Sequence, residues 1–159
     1  MTKMSRIVLH WSAGSHNVSD IDREHYHRIV AGDGTIVKGD HPIEDNLSTS
    51  DGIYAAHTRG CNAGAIGVAM AGMMGAEGPG KLGKYPLTKV QFDACMELVR
   101  KLAKQYQIPV TRSTVLSHAE VQTTLGIKQS GKIDISFGIP GKPELKSARA
   151  CGDYIRSLV

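Results

Sequence analysis

Between Arg6 and Trp11 the side chains alternate in the manner of a buried strand, with Ile7, Leu9 and Trp11 on one face and Val8, His10 and Ser12 on the other. Ser19-Asp-Ile-Asp22 reads as a capping box that opens a short helix towards Tyr26. Two short runs, His27 to Val30 and Thr35 to Lys38, flank Ala31-Gly-Asp-Gly34 and predict a hairpin. Residues 39–56 read as loop. Ala65 to Met70 is an apolar strand. Gly72 to Pro86, with five glycines and two prolines in fifteen residues, is a long loop of the kind that often carries function. Phe92, Cys95, Val99, Leu102 and Tyr106 recur at threes and fours, which predicts a helix from Thr88 to about Tyr106, bounded by Pro86 and Pro109. Val115 to His118 forms a short strand ending in a second histidine, and residues 119–144 are expected to be mostly loop. Leu145, Ala148, Cys151, Ile155 and Leu158 stripe a closing helix over about 145–158. Strands alternating with helices predict an α/β fold with a central sheet, made mixed by the early hairpin.

A chain of 159 residues suffices for one compact domain, expected to span 1–159. With 41% hydrophobic and 21% charged residues it has ordinary globular composition, and no apolar run is long enough for a membrane span. The net charge of +4 suits an anionic polymer without requiring nucleic acid. Eight aromatics against 18 glycines argue against a stacking platform for single strands. The three cysteines, Cys61, Cys95 and Cys151, are widely spaced and include no C-x-x-C, so neither a disulfide framework nor an all-thiolate zinc site is expected. The polar start leads straight into Ile7-Val8-Leu9, too short for a signal-peptide core, so synthesis in the cytoplasm without a signal peptide is expected. A monomer is the expected state.

Two nucleotide motifs fail on context. Gly78-Pro-Gly80-Lys-Leu-Gly83 matches the dinucleotide fingerprint, but Tyr85-Pro86 delays the helix that must begin inside it. Gly75 to Lys81 and Gly126 to Lys132 match the phosphate-loop pattern up to the lysine. Leu82 and Ile133 then stand where a hydroxyl must reach Mg²⁺. His16, His25 and His41 lie in polar segments and read as solvated. His10 and His118 differ, because each closes an apolar strand, although either one taken singly reads first as a hydrogen-bonded structural histidine. Asp134 sits between Ile133 and Ile135 and must be paired or coordinated, with nearby Lys132 as one available partner. Two imidazoles and a carboxylate would leave the fourth tetrahedral position of Zn²⁺ for water, as in a hydrolytic site.

Five ordered motifs carry a resemblance: Ile7-Val-Leu-His-Trp-Ser-Ala-Gly14; Tyr26-His-Arg-Ile-Val30 with Asp33-Gly34; Ala56-His-Thr-Arg-Gly60 with Asn62 and Ile66-Gly-Val68; Ser117-His-Ala-Glu-Val121; and Lys132-Ile-Asp134. In this order, over about residues 6–137, the chain resembles the zinc-dependent N-acetylmuramoyl-L-alanine amidases. That family includes phage lysozyme-type amidases, cell-wall recycling amidases and animal peptidoglycan recognition proteins. The resemblance implies a central mixed sheet with helices on both faces and a zinc cleft at one sheet edge. It implies His10, His118 and Asp134 as metal ligands. Lys132 would stabilise the oxyanion formed at the lactyl amide, and Tyr26 would assist catalysis. His57 of the third motif, with Lys81 and Lys84 of the glycine-rich loop, is expected to contact the peptidoglycan or muropeptide substrate.

The sequence also departs from the family pattern. Ala69 stands where recycling-type and many bacterial amidases place a glutamate base, which favours the phage-like subgroup. Asp134 is followed by Ile-Ser-Phe and not by the Pro-Gly usual with an acidic ligand, and Glu120 is a second candidate base. The expected activity is hydrolysis of the amide between N-acetylmuramic acid and L-alanine, as a phage or prophage endolysin reaching the wall after release. A non-catalytic recognition module and a cytoplasmic muropeptide-recycling amidase are the alternatives.

Overall fold

The computed structural model describes residues 3–159. Five strands form one sheet in the order β3-β2-β4-β1-β5: β1 (Arg6–Trp11), β2 (Arg28–Val30), β3 (Ile36–Lys38), β4 (Ala65–Met70) and β5 (Val115–Ser117). All neighbours pair in parallel except β3, which turns back on β2 through the expected hairpin. The sheet is therefore mixed, with its antiparallel strand at one edge. Alternation along β1 sends Ile7, Leu9 and Trp11 into the larger core, against Phe92, Cys95 and Val99 of α2 (Lys89–Gln105) and Cys151 and Ile155 of α4 (Ala148–Leu158). Val8 points the other way, into a smaller cluster with Leu116 and with Val121 of α3 (His118–Leu125). Val18 and Tyr26, which flank α1 (Asp20–His25), cover Ile29 and Ala69 on the same side. Helices thus lie on both faces, as the resemblance implied.

Helix ends follow local chemistry. Ser19 and Thr88 cap α1 and α2, each accepting from the backbone three residues on while Asp22 or Gln91 returns the bond. Two segments expected as loop are structured. A 3-10 helix spans Ile43–Leu47 within 39–56, and α3 occupies the start of 119–144, so His118 is a helical first residue and not the last of a strand. The signals for α3 are Glu120, whose carboxylate accepts the Ser117 N–H at 3.1 Å, and Gly126, left-handed at φ 70° where the helix stops.

Glu120, the second candidate base, is turned away from any cleft. It is 1% exposed and paired with Arg156 of α4 at 2.9 Å. The pair fits because Gly152 has no side chain, since a Cβ there would lie 1.9 Å from Glu120 Oε1. Gly152→Ala should therefore destabilise the protein by roughly 2 kcal/mol or more through overpacking. Helix propensity alone would give about 1 kcal/mol in the opposite direction. The urea-unfolding midpoint decides between the two signs.

Candidate metal centre and cleft

The parallel register brings the two strand-end histidines together. Leu9 of β1 pairs with Ser117 of β5, so His10 and His118 follow side by side at the carboxyl ends of neighbouring strands. His10 shares the Val8 face, beyond the apolar cluster, where a polar ring borders a cleft. Asp134 arrives from the long segment after α3, anchored where its carbonyl accepts the Ala119 N–H at 2.6 Å. His10 Nδ1, His118 Nδ1 and Asp134 Oδ2 then converge, with separations of 3.1 Å between the imidazoles and 3.2 and 3.5 Å from His10 and His118 to the carboxylate. All three residues are buried. The ion pair of Asp134 with Lys132 does not form.

The surrounding hydrogen bonds fix which ring atoms carry protons. His57 Nε2–H donates to the Ala65 carbonyl at 3.2 Å, leaving its Nδ1 as an acceptor. The Thr58 hydroxyl donates to that Nδ1 at 2.8 Å, so its oxygen accepts from His10 Nε2 at 3.3 Å, which makes Nε2 the protonated nitrogen of His10. On the other side, Gln129 Nε2 donates to the Arg59 carbonyl at 2.7 Å, so Gln129 Oε1 faces His118 Nε2 at 2.9 Å and accepts from it. Both imidazoles consequently present bare Nδ1 lone pairs to the carboxylate oxygen. Three acceptors facing one another are satisfied by a cation. Ligands held about 2.0–2.1 Å from a tetrahedral zinc lie about 3.3 Å apart, close to these three separations.

Burial lowers the pKa of His10 and lowers that of His57 further, keeping both neutral. Burial works to raise the Asp134 pKa, but its place beside His10 and His118 holds the carboxyl below its usual range, in the ionised form that a metal ligand needs. The Tyr26 ring packs 5.0 Å from that of His10, and burial, with the charges of Asp134 and Asp22, raises its pKa so that the phenol keeps its proton.

The centre forms the floor of a cleft with two arms. One, about 440 Å³, is lined by Trp11, Ser12, Tyr26, Met73, Ala76 and Lys132 among others. The second, about 410 Å³, runs past Tyr54, Arg59, Asn62 and Gln129. His57, His118, Ser130 and Lys132 border both. Of the expected site residues, His10, His57, His118, Asp134 and Tyr26 are thus gathered at one place, and exposed Lys132 stands on the rim. His57 lies behind His10, in room made by Gly67, where a Cβ would come 2.5 Å from the imidazole. Lys81 and Lys84 are exposed and outside both arms; their loop reaches the cleft through Met73, Gly75 and Ala76. His25, read as solvated, borders the first arm with its Nδ1 donating to the Ala56 carbonyl at 2.8 Å. His16, also read as solvated, is half-buried against the Pro86 carbonyl at 2.7 Å.

Gln129, Thr58 and Arg59 were not assigned roles from the sequence. Arg59 and Thr58 lie inside the third motif, whereas nothing local marks Gln129. Asn62 explains part of that motif, because its Oδ1 accepts the N–H groups of both His57 and Thr58.

A family described as N-acetylmuramoyl-L-alanine amidase matches residues 1–136. The chain belongs to this amidase family. Its fold is similar to that of the N-acetylmuramoyl-L-alanine amidase LysC from Clostridium intestinale URNW, at 20% identity and TM-score 0.55 over 87% of this chain and 81% of that one. It is also similar to the Ph2119 endolysin from Thermus scotoductus MAT2119 bacteriophage Ph2119, at 19% identity and TM-score 0.54 over 85% and 80%. The amidase AmiD from E. coli, in complex with the substrate anhydro-N-acetylmuramic acid-L-Ala-D-gamma-Glu-L-Lys, matches at 17% identity and TM-score 0.54 over 73% of this chain and 48% of its own. A search of curated proteins finds no match. Among the described residues of this amidase-family chain, no helix is long and apolar enough to cross a membrane.

Proposed function

We propose that the protein is a zinc hydrolase that cleaves the amide joining the lactyl group of N-acetylmuramic acid to L-alanine in peptidoglycan. It acts as one catalytic domain over residues 1–159, a monomer of phage or prophage origin that reaches the wall after release. The observation that carries the reading is the convergence of three acceptor atoms, from His10, His118 and Asp134, on the floor of a cleft in a chain of this family. These residues would hold the metal, which when bound supplies Lewis acidity towards water and the amide carbonyl. The endolysin assignment rests on Ala69, buried beside His10 in the sheet register where a glutamate base would otherwise stand.

Within this reading the remaining side chains have separate tasks. Lys132, which borders both arms, stabilises negative charge developing on the amide oxygen. Tyr26 keeps its proton and offers a hydrogen bond to the reacting group. His57 holds His10 from behind. Lys81 and Lys84, off the cleft, draw anionic stem peptides towards it.

Digestion of purified sacculi tests the proposal by mass spectrometry. Intact glycan with free L-alanine amino termini is expected, whereas new reducing sugar ends would mean a glycosidase, and binding without products a recognition module. Lys132→Ala is expected to lower kcat about 10²–10³-fold, the range for losing one oxyanion donor, with little change in KM. The Lys81→Ala, Lys84→Ala double variant should raise KM at low salt, leave kcat unchanged and converge on the parent protein as salt screens the charges.

A further inference from the structure

The tautomer of His118 depends on one amide. Gln129 is buried, and three contacts define its orientation: its N–H donates to Gln122 Oε1 at 2.8 Å, its Nε2 to the Arg59 carbonyl at 2.7 Å, and its Oε1 faces His118 Nε2 at 2.9 Å. The Arg59 carbonyl only accepts, so the amide cannot be flipped without bringing two oxygens together. Oε1 in turn only accepts, which obliges His118 to carry its proton on Nε2 and to leave Nδ1 bare. We propose that Gln129 is a positioning residue for the metal centre, fixing both the ring plane and the tautomer of His118. It ties that orientation to the Arg59 backbone in the wall of the second arm. His10 is held in the matching tautomer by a separate route through Thr58, His57 and Ala65, so the two imidazoles are set independently. A partner that fixes a ligand ring in this way is commonly worth 10–100-fold in metal affinity.

The inference rests on His118 being a metal ligand, as proposed above, and the tests separate the two. Zinc affinity is measured by competition with a chromogenic chelator for the parent protein, Gln129→Leu, Gln129→Glu and His118→Ala. Gln129→Leu removes the acceptor and should weaken zinc binding about 10–100-fold. Gln129→Glu keeps an acceptor facing Nε2 but sets its second oxygen against the Arg59 carbonyl, so it should lose affinity, and less of it than Gln129→Leu. In the zinc-free parent, at a pH where the imidazole is neutral, ¹⁵N NMR should show His118 protonated at Nε2. In Gln129→Leu the two tautomers should mix. Unchanged affinity in Gln129→Leu, equal losses in the Leu and Glu variants, or a His118 protonated at Nδ1 in the parent overturns the positioning role. A parent protein that binds zinc no better than His118→Ala overturns the ligand assignment instead. The NMR result on the parent stands even where a variant fails to fold.

Discussion

His118→Ala is expected to lose stoichiometric zinc and to lower peptidoglycan hydrolysis at least ~10³-fold, about 4 kcal/mol of transition-state stabilisation. The size follows from geometry. Removing one of three converging acceptors leaves two protein ligands, His10 Nδ1 and Asp134 Oδ2, 3.2 Å apart. Metal affinity and polarising power then fall together. Elemental analysis of protein prepared without chelators should find about one zinc per chain in the parent and none in the variant. The same substitution should alter the response to chelation. Because only the folded chain assembles the ligand set, zinc stabilises it by linkage, so a chelator should lower the Tm of the parent and leave that of His118→Ala unmoved. Stoichiometric metal in His118→Ala would place the centre elsewhere.

Acidification should weaken the fold through His27, far more steeply than surface groups would. This imidazole is fully buried, and burial pushes its pKa down to about 4. Its neutrality is built into the bonding, since Nδ1 accepts the Gly67 N–H at 2.9 Å while Nε2 donates to Asn46 Oδ1 at 2.9 Å. A proton on Nδ1 would set two donors face to face. Neighbouring Arg28 and His41 oppose that charge, whereas Asp45 favours it. The unfolded imidazole titrates near 6.5, so between pH 6.5 and 4 the unfolded chain binds a proton that the folded chain refuses. The stability present above pH 6.5 is therefore lost progressively as pH falls, by about 3 kcal/mol on reaching pH 4. Urea unfolding at pH 7 and pH 4 measures the difference, and His27→Gln, less stable at neutral pH, should show a flatter dependence over that interval. An equally steep dependence in the variant would assign the loss to other groups.

The strands Arg6–Trp11 and Ala65–Met70 were legible as short apolar runs because both of their faces are buried, and the helix near 88–106 because it buries one face and so writes its period into neighbouring residues. The capping box at Ser19 and the turn at 31–34 were legible for a similar reason, their chemistry closing within a few positions. Ser117-x-x-Glu120 carried the same kind of signal for α3. The short apolar run before it read more strongly as a strand ending at His118, and the helix proved to begin at that residue. His10, His118 and Asp134 each had two readings as isolated residues, and the ordered motifs supplied the resemblance that joined them. Only tertiary structure decided that Leu9 pairs with Ser117, that Asp134 turns to the histidines and not to Lys132, and that Glu120 belongs to Arg156. It alone placed Lys81 and Lys84 outside the cleft and brought Gln129 and Arg59 to its wall. Such contacts join residues tens of positions apart, and no local period records them. A glutamine that orients a ring needs only to be polar and correctly placed, and the placement is made by the fold.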